Sequence, residues 1–230
     1  MELVGAPVSE LKNILTTSFE DWAAQHAQTQ NVSCALSGGA TALIFLSALR
    51  NAKVDWKRIT LFWADERAVS PDDPESNYGL ADRMLLSPLG ARAPRAIRMP
   101  AEQSPLSRAA IWYDATLSSE LHGGPLDLAL LGVGEDGHIC SLFPGHAALL
   151  QNEGRTVAVE DAPKPPSRRL SLTMRYVLET KKIWLIVIGQ RKLPVLQAAI
   201  NKTSNSTPLD QLMRQAGDVT IFTDQQIRRP

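Results

Sequence analysis

Two stretches, DLALLGV at 127–133 and KIWLIVIG at 182–189, are apolar almost throughout and show no alternation. A strand with one wet face alternates apolar and polar side chains. A run without alternation must be covered on both faces, and a parallel sheet between layers of helices does that. The rest of the chain has the same design. VSCALS (32–37), ITLFWA (59–64) and DVTIFT (218–223) read as further strands. Between them lie amphipathic stretches. In 8–28, Val8, Leu11, Leu15, Phe19 and Trp22 recur at three- and four-residue steps, as on one face of a helix. ATALIFLSAL (40–49), YGLADRMLL (78–86), 105–121 and RKLPVLQAAI (191–200) read as helices, the last with Pro194 confined to its first turn. TPLDQLMRQ (207–215) reads as a capped helix with Pro208 at its first position. The alternation predicts a Rossmann-like α/β fold, a mostly parallel sheet with helices on both faces. The proline-rich EDAPKPPSRR (160–169) has the same pattern on both flanks, so it reads as a long loop within one domain spanning 1–230.

Charge narrows the function classes. The chain has 24 basic and 24 acidic side chains and no net charge, whereas nucleic-acid surfaces carry a basic excess. A small basic pocket for one phosphate stays compatible with that balance. Cys34 and Cys140 fall in no C-x-x-C pair and no zinc-ligand pattern, so both read as reduced, partly buried thiols. The N-terminus lacks the basic head and apolar core of a signal peptide, and the longest apolar run, IWLIVIG at 183–189, is strand-sized. The expectation is a cytoplasmic protein with no nucleic-acid or membrane partner, no cofactor and no metal.

In sheets of this kind ligands bind beyond the carboxyl ends of the strands, so residues just after the predicted strands carry the functional signal. SGGAT (37–41) follows the first. Gly38 and Gly39 before a helix start can present backbone N–H groups to an anion, though such a pair is more often a tight turn. ADERAVSPDDPESNYG (64–79) follows the next strand and brings Asp65, Glu66 and Arg67. A guanidinium there suits phosphate or carboxylate; the plain alternative is a surface ion pair. Ser76 and Asn77 are placed to cap the following helix, and Asp72, Asp73 and Glu75 read as a solvated loop. GVGEDGHICSLFPG (132–145) follows DLALL and sets Asp136 and His138 on a glycine-rich turn, where a neutral imidazole can take a proton from water. His26, His122 and His146 read as exposed. Arg169 opens a predicted strand after PKPPSR, and Lys192 follows one in GQRK. Trp56, Trp63, Trp112 and Trp184 read as packing for the core and its margins, and QQIRRP (225–230) as a frayed tail.

SGGAT, DERAVSPDDPESNYG, GVGEDGHICSLFPG, PKPPSRRLSLT and GQRK stand in the order and spacing of the 6-phosphogluconolactonases, and from Ser37 to Lys192 the chain resembles that family. The DGH-x-x-SLFPG stretch is highly specific, while SGG alone is weak. The resemblance implies the α/β fold shared with sugar-phosphate isomerases and deaminases. It also implies metal-independent hydrolysis of 6-phospho-D-glucono-1,5-lactone to 6-phospho-D-gluconate, in the oxidative pentose phosphate pathway. His138 would activate water with Asp136 beside it. Arg67, Arg169 and Lys192 would surround the anionic end of the substrate, with the backbone of Gly38 and Gly39 contributing. Thr41, Asp65, Ser76 and Asn77 complete the implied binding set. The chain departs from the family at Ala40, which removes a hydroxyl near the phosphate, and at Ala42, which stands where the family has proline.

The oxyanion partner is left open between the glycine-loop N–H groups and a basic side chain. A serine nucleophile, Ser37 or Ser141, is disfavoured because no G-x-S-x-G elbow is present. Glucosamine-6-phosphate deaminases carry FNEP where this chain reads SLFP, which puts Phe143 at their glutamate, and a tyrosine where Arg67 stands. Phe143 transfers no proton, which weighs heavily against the deaminase, the nearest alternative enzyme. A non-catalytic sugar-phosphate binder is the alternative of another class. The expected assembly is a monomer or small homo-oligomer.

Overall fold

The structure, a computed structural model, describes residues 1–27 and 30–227. Seven strands form one sheet in which every neighbouring pair is parallel: β1 (Glu2–Gly5), β10 (Val219–Thr223), β9 (Lys182–Val187), β6 (Leu128–Gly132), β2 (Val32–Leu36), β3 (Ile59–Trp63) and β5 (Arg95–Ile97), in that spatial order. Every residue of β2 and β10 is buried, which requires cover on both sheet faces. The cover comes from α1 (Val8–His26), α2 (Ala42–Asn51), α5 (Leu106–Glu120), α6 (Met174–Glu179), α7 (Leu193–Asn201) and α8 (Pro208–Gln215). Leu11, Leu15, Phe19 and Trp22 are the buried stripe of α1, and the Phe19 ring lies 5.5 Å from Trp56. Trp56, Trp63 and Trp184 are buried, but Trp112 is 53% exposed on the outer face of α5.

The predicted helix at 78–86 is broken into pieces. α3 (Asn77–Ala81) runs into a π turn over Asp82–Leu86 and then the short α4 (Ser87–Leu89). A second sheet, antiparallel and three-stranded, is built from β4 (Asp65–Arg67), β8 (Arg169–Leu172) and β7 (Thr156–Val159). It places Arg67 directly opposite Arg169. Of the tail at 225–230, residues 228–230 lie outside the described residues.

Pro208 is the first residue of α8, where its missing N–H is no loss. Thr207 Oγ1 accepts from Asp210 N at 3.1 Å, and Asp210 accepts from Thr207 N at 2.9 Å, a reciprocal cap. The same helix start donates Leu209 N to the carbonyl of Gly137 at 3.0 Å. Thr207→Ala is expected to cost about 1 kcal/mol and to lower the melting temperature by roughly 2–4 °C. An unchanged melting curve would show that the cap contributes nothing.

Candidate active site

The order of strands explains where the site lies. The chain builds outward from β2 to β3 and β5, then returns to lay β6 on the other side of β2. Loops leaving β2 and β6 therefore part in opposite directions and leave a crevice at their carboxyl ends. The two strand ends are tied together there: Ser37 N donates to Leu130 O at 3.0 Å, and Gly132 N to Ser37 Oγ at 2.9 Å. Above this seam is a cavity of ≈ 230 Å³. Its walls include Gly38, Gly39, Thr41, Asp65, Arg67, His138, Arg169 and Lys192, all expected from the sequence, and also Lys164, which was not.

The loop after β6 folds back on itself. Gly134 N donates to His138 O at 3.0 Å, and Val133 pairs with Ile139. A side chain at Gly134 would strike the His138 ring and the Asp136 carboxylate, so this glycine lets the imidazole lie across the turn. His138 Nδ1 is 2.5 Å from Asp136 Oδ1. A proton must lie between a ring nitrogen and a carboxylate this close, so Nδ1 carries hydrogen and Nε2 carries the lone pair. Phe143, fully buried, places its ring centroid 4.5 Å from that of His138.

Burial pushes the His138 pKa below its ordinary value; Asp136 opposes the shift and Lys164 adds to it. Burial alone would raise the pKa of Asp136, but its bond to His138, with Lys164 beside it, outweighs burial and holds the carboxyl below its ordinary value. His138 is therefore a neutral base, and Asp136 an anion, at neutral pH. In the free protein an NMR titration of the His138 ring is expected to show a midpoint below about 6.5. Because the shift is downward, the base form persists as pH falls through the usual imidazole range. A midpoint at or above that value would contradict the burial argument.

The cations have different amounts of freedom. Lys192 Nζ donates to Thr41 Oγ1 at 3.1 Å, and burial lowers its pKa. Arg67 donates from Nη1 to the Glu75 carbonyl at 2.8 Å, while its buried Nε has no protein partner. Arg169 is largely engaged: Nε donates to Pro166 O at 2.7 Å, and Nη2 to the carbonyls of Lys164 and Pro165, both at 3.1 Å. It therefore ties down the 160–168 loop as well as lining the cavity. Like charges directly opposite on paired strands repel, so Arg67 across from Arg169 favours an anion between them. In the loop after β2, the N–H groups of Gly38, Gly39 and Ala40 have no protein acceptor among the described residues and border the same cavity. Such a cluster of free N–H groups suits phosphate.

Ser76 and Asn77 are placed behind the cavity wall, not on it. Ser76 Oγ accepts from Gly79 N at 3.0 Å as the cap of α3, and Asn77 Nδ2 donates to Asp65 O at 2.8 Å. The buried Glu66 carboxylate gathers this corner, accepting from the backbone N–H groups of Arg67, Asn77 and Tyr78. Ser141 is fully buried and donates to Asp65 Oδ2 at 2.8 Å, so its hydroxyl braces the site and is not free to attack a carbonyl. His26 and His122 are exposed, as expected, but His146 is engaged. Its Nδ1 accepts from Ala148 N at 3.1 Å and its Nε2 pairs with Asp161 at 2.9 Å. Glu75 faces Arg67, and Asp73 accepts from Glu75 N at 2.8 Å. Cys140 borders the cavity, and burial raises its thiol pKa well above the ordinary value. No helix among the described residues is long and apolar enough to cross a membrane.

Comparison with known proteins agrees with this geometry. The family model for glucosamine-6-phosphate isomerases/6-phosphogluconolactonase matches residues 8–221. A 6-phosphogluconolactonase of Mycobacterium tuberculosis is 37% identical over 175 residues, covering 72% of this chain and 71% of that one. A Drosophila melanogaster protein named probable 6-phosphogluconolactonase is 30% identical over 94% of this chain and 88% of its own. Among solved structures, a 6-phosphogluconolactonase from Shewanella baltica superposes with a TM-score of 0.86 at 25% identity, covering 97% of both chains. With nearly the whole chain matched by the family model and the strand-end motifs gathered at one cavity, this chain belongs to the glucosamine-6-phosphate isomerase/6-phosphogluconolactonase family.

Proposed function

We propose that this chain hydrolyses 6-phospho-D-glucono-1,5-lactone to 6-phospho-D-gluconate, within the oxidative pentose phosphate pathway. One observation carries the reading: a neutral His138, oriented by Asp136, shares a small cavity with Arg67, Lys164, Arg169 and Lys192. A base beside a concentration of positive charge suits an anionic substrate that water must attack. The phosphate is the remote anchor, held by the N–H groups at 38–40 and by Arg67, Arg169 and Lys192, and it fixes the lactone ring for reaction. His138 Nε2 takes a proton from water as the oxygen bonds to the lactone carbonyl carbon. The carbonyl oxygen becomes an oxyanion, stabilised by N–H groups or a cation of the wall. Its collapse breaks the bond to the ring oxygen, which takes the proton back from His138. The carboxylic acid so formed gives its remaining proton to solvent, leaving a product with a free hydroxyl and a carboxylate.

Phe143 beside His138 supports hydrolysis over deamination, because its side chain has no group to move a proton at carbon. The reading treats residues 1–230 as one catalytic domain, supported by a core that runs from Leu11 to Phe222. It takes the protein as cytoplasmic, a monomer or small homo-oligomer, with no metal, cofactor or nucleic-acid partner in the reaction. The test generates the lactone in place with a glucose-6-phosphate dehydrogenase and follows 6-phosphogluconate with and without the protein. Formation faster than spontaneous opening is expected. A rate equal to the spontaneous one would sink the proposal.

A further inference from the structure

Lys164 belongs to the proline-rich segment that reads as a long loop within one domain, yet it reaches both members of the His138–Asp136 pair. Its Nζ is 3.1 Å from Asp136 Oδ2 and 3.5 Å from His138 Nδ1. Asp136 therefore has one oxygen on the imidazole and the other on the ammonium. An ordinary exposed ion pair would contribute little, and Lys164 is 44% exposed at its side chain. Its backbone is what sets it apart. The carbonyls of Lys164, Pro165 and Pro166 all accept from Arg169, whose Nη1 reaches Ser141 Oγ at 3.4 Å. Ala162 N closes the loop on Ser167 O at 2.8 Å. The stem of Lys164 is thus anchored to the framework that holds the cavity, and its ammonium is presented to a fixed place.

We infer that Lys164 is a positioning residue for the His138–Asp136 pair. Its ammonium holds Asp136 Oδ2 so that Oδ1 stays on Nδ1 and the imidazole is kept in the tautomer with Nε2 free. Asp136 is only half-buried on its turn, and without the clamp its carboxylate can rotate toward water and release the ring. The other charged groups acting on His138 are Asp136 on its own loop and Asp65 from β4; Phe143 supplies an apolar face. The kinetic arm of the test rests on the lactonase reading; the spectroscopic arm does not.

A clamp acting through Asp136 differs from a direct phosphate contact in its coupling. Lys164→Met is expected to lower kcat about 10-fold with KM changed by less than about 3-fold. In an Asp136→Asn background the same substitution should change kcat by less than about 2-fold, since the oxygen it holds is gone. Lys164→Arg should restore most of the rate. An equal loss in both backgrounds, or a loss confined to KM, would overturn the inference and make Lys164 a substrate contact. By NMR on the protein without substrate, Lys164→Met should lower the His138 titration midpoint, because the ring loses Asp136, a larger influence than the ammonium, and speed exchange of the Nδ1 proton. Lys164→Arg should do neither. If the wild type fails to open the lactone, the substrate reading falls alone. The clamp then stands if the imidazole signals respond to Lys164→Met and falls if they do not.

Discussion

His138→Ala is expected to reduce kcat for the lactone by about 10²- to 10⁴-fold, the range that a positioned general base contributes. Binding of 6-phosphogluconate should persist, because the cations and the N–H groups at 38–40 are untouched. Three neighbouring groups are unavailable as a replacement base. Ser141 is buried and donates to Asp65, the thiol of Cys140 is held protonated by burial, and Lys164 faces Asp136. The measurement is initial velocity at saturating lactone, corrected for spontaneous opening, alongside product affinity by calorimetry. Retention of near wild-type kcat would remove His138 from the mechanism. Loss of product binding as well would show that the substitution had disturbed the cavity and not only the base.

Gly38→Ala is expected to damage both stability and rate, although it adds a single methyl. The space that methyl needs is occupied by the Asn77 side-chain amide. Asn77 cannot easily yield: it is buried, its Nδ2 donates to Asp65 O at 2.8 Å, and its N–H donates to Glu66 Oε1 at 2.8 Å. Overpacking of this kind costs about 1–3 kcal/mol. Relief by shifting Asn77 would move Asp65 and the adjoining N–H groups, so a loss of at least roughly 10-fold in kcat/KM, about 1.4 kcal/mol of transition-state binding, is expected. Gly39→Ala differs in kind. It meets no neighbour, but its φ of +81° strains any L side chain, at about 1–2 kcal/mol. Gly5→Ala meets neither obstacle and serves as the control. Thermal melts and kcat/KM on the three variants separate collision from strain. A Gly38→Ala protein as stable and active as Gly5→Ala would mean that Asn77 is free to move.

The central strands were legible because burial on both faces leaves its mark on each residue. β2, β3, β6, β9 and β10 announce themselves as apolar runs. The second sheet is marked only at β8, the strand that Arg169 opens. β4 is Asp-Glu-Arg, three charged residues that read as loop, and it becomes a strand only by pairing with a segment about a hundred residues away. β1 is short and half-exposed at the sheet edge, so it too carries no apolar run. The site followed the same division. Residues just past an apolar run, such as Asp65, Arg67, Asp136, His138 and Lys192, could be found by position alone. Ser76 and Asn77 were found as helix caps, but nothing local says that they stand behind the wall. Lys164 was missed because its meaning lies in a contact to Asp136, 28 positions away, that no periodicity encodes.

The pairing of β1 with β10 has a consequence for how the molecule is made. β10 is threaded between β1 and β9, so Glu2–Gly5 finds its hydrogen-bonding partner only in residues 220–223. During synthesis on the ribosome the leading strand has emerged long before the strand it must join exists. Its backbone groups lack their sheet partner until residues 219–223 are made, and β9, once made, offers a bare edge until β10 joins it. Final closure of the sheet is therefore a late, long-range event, of the slow kind that leaves nascent chains dependent on chaperones.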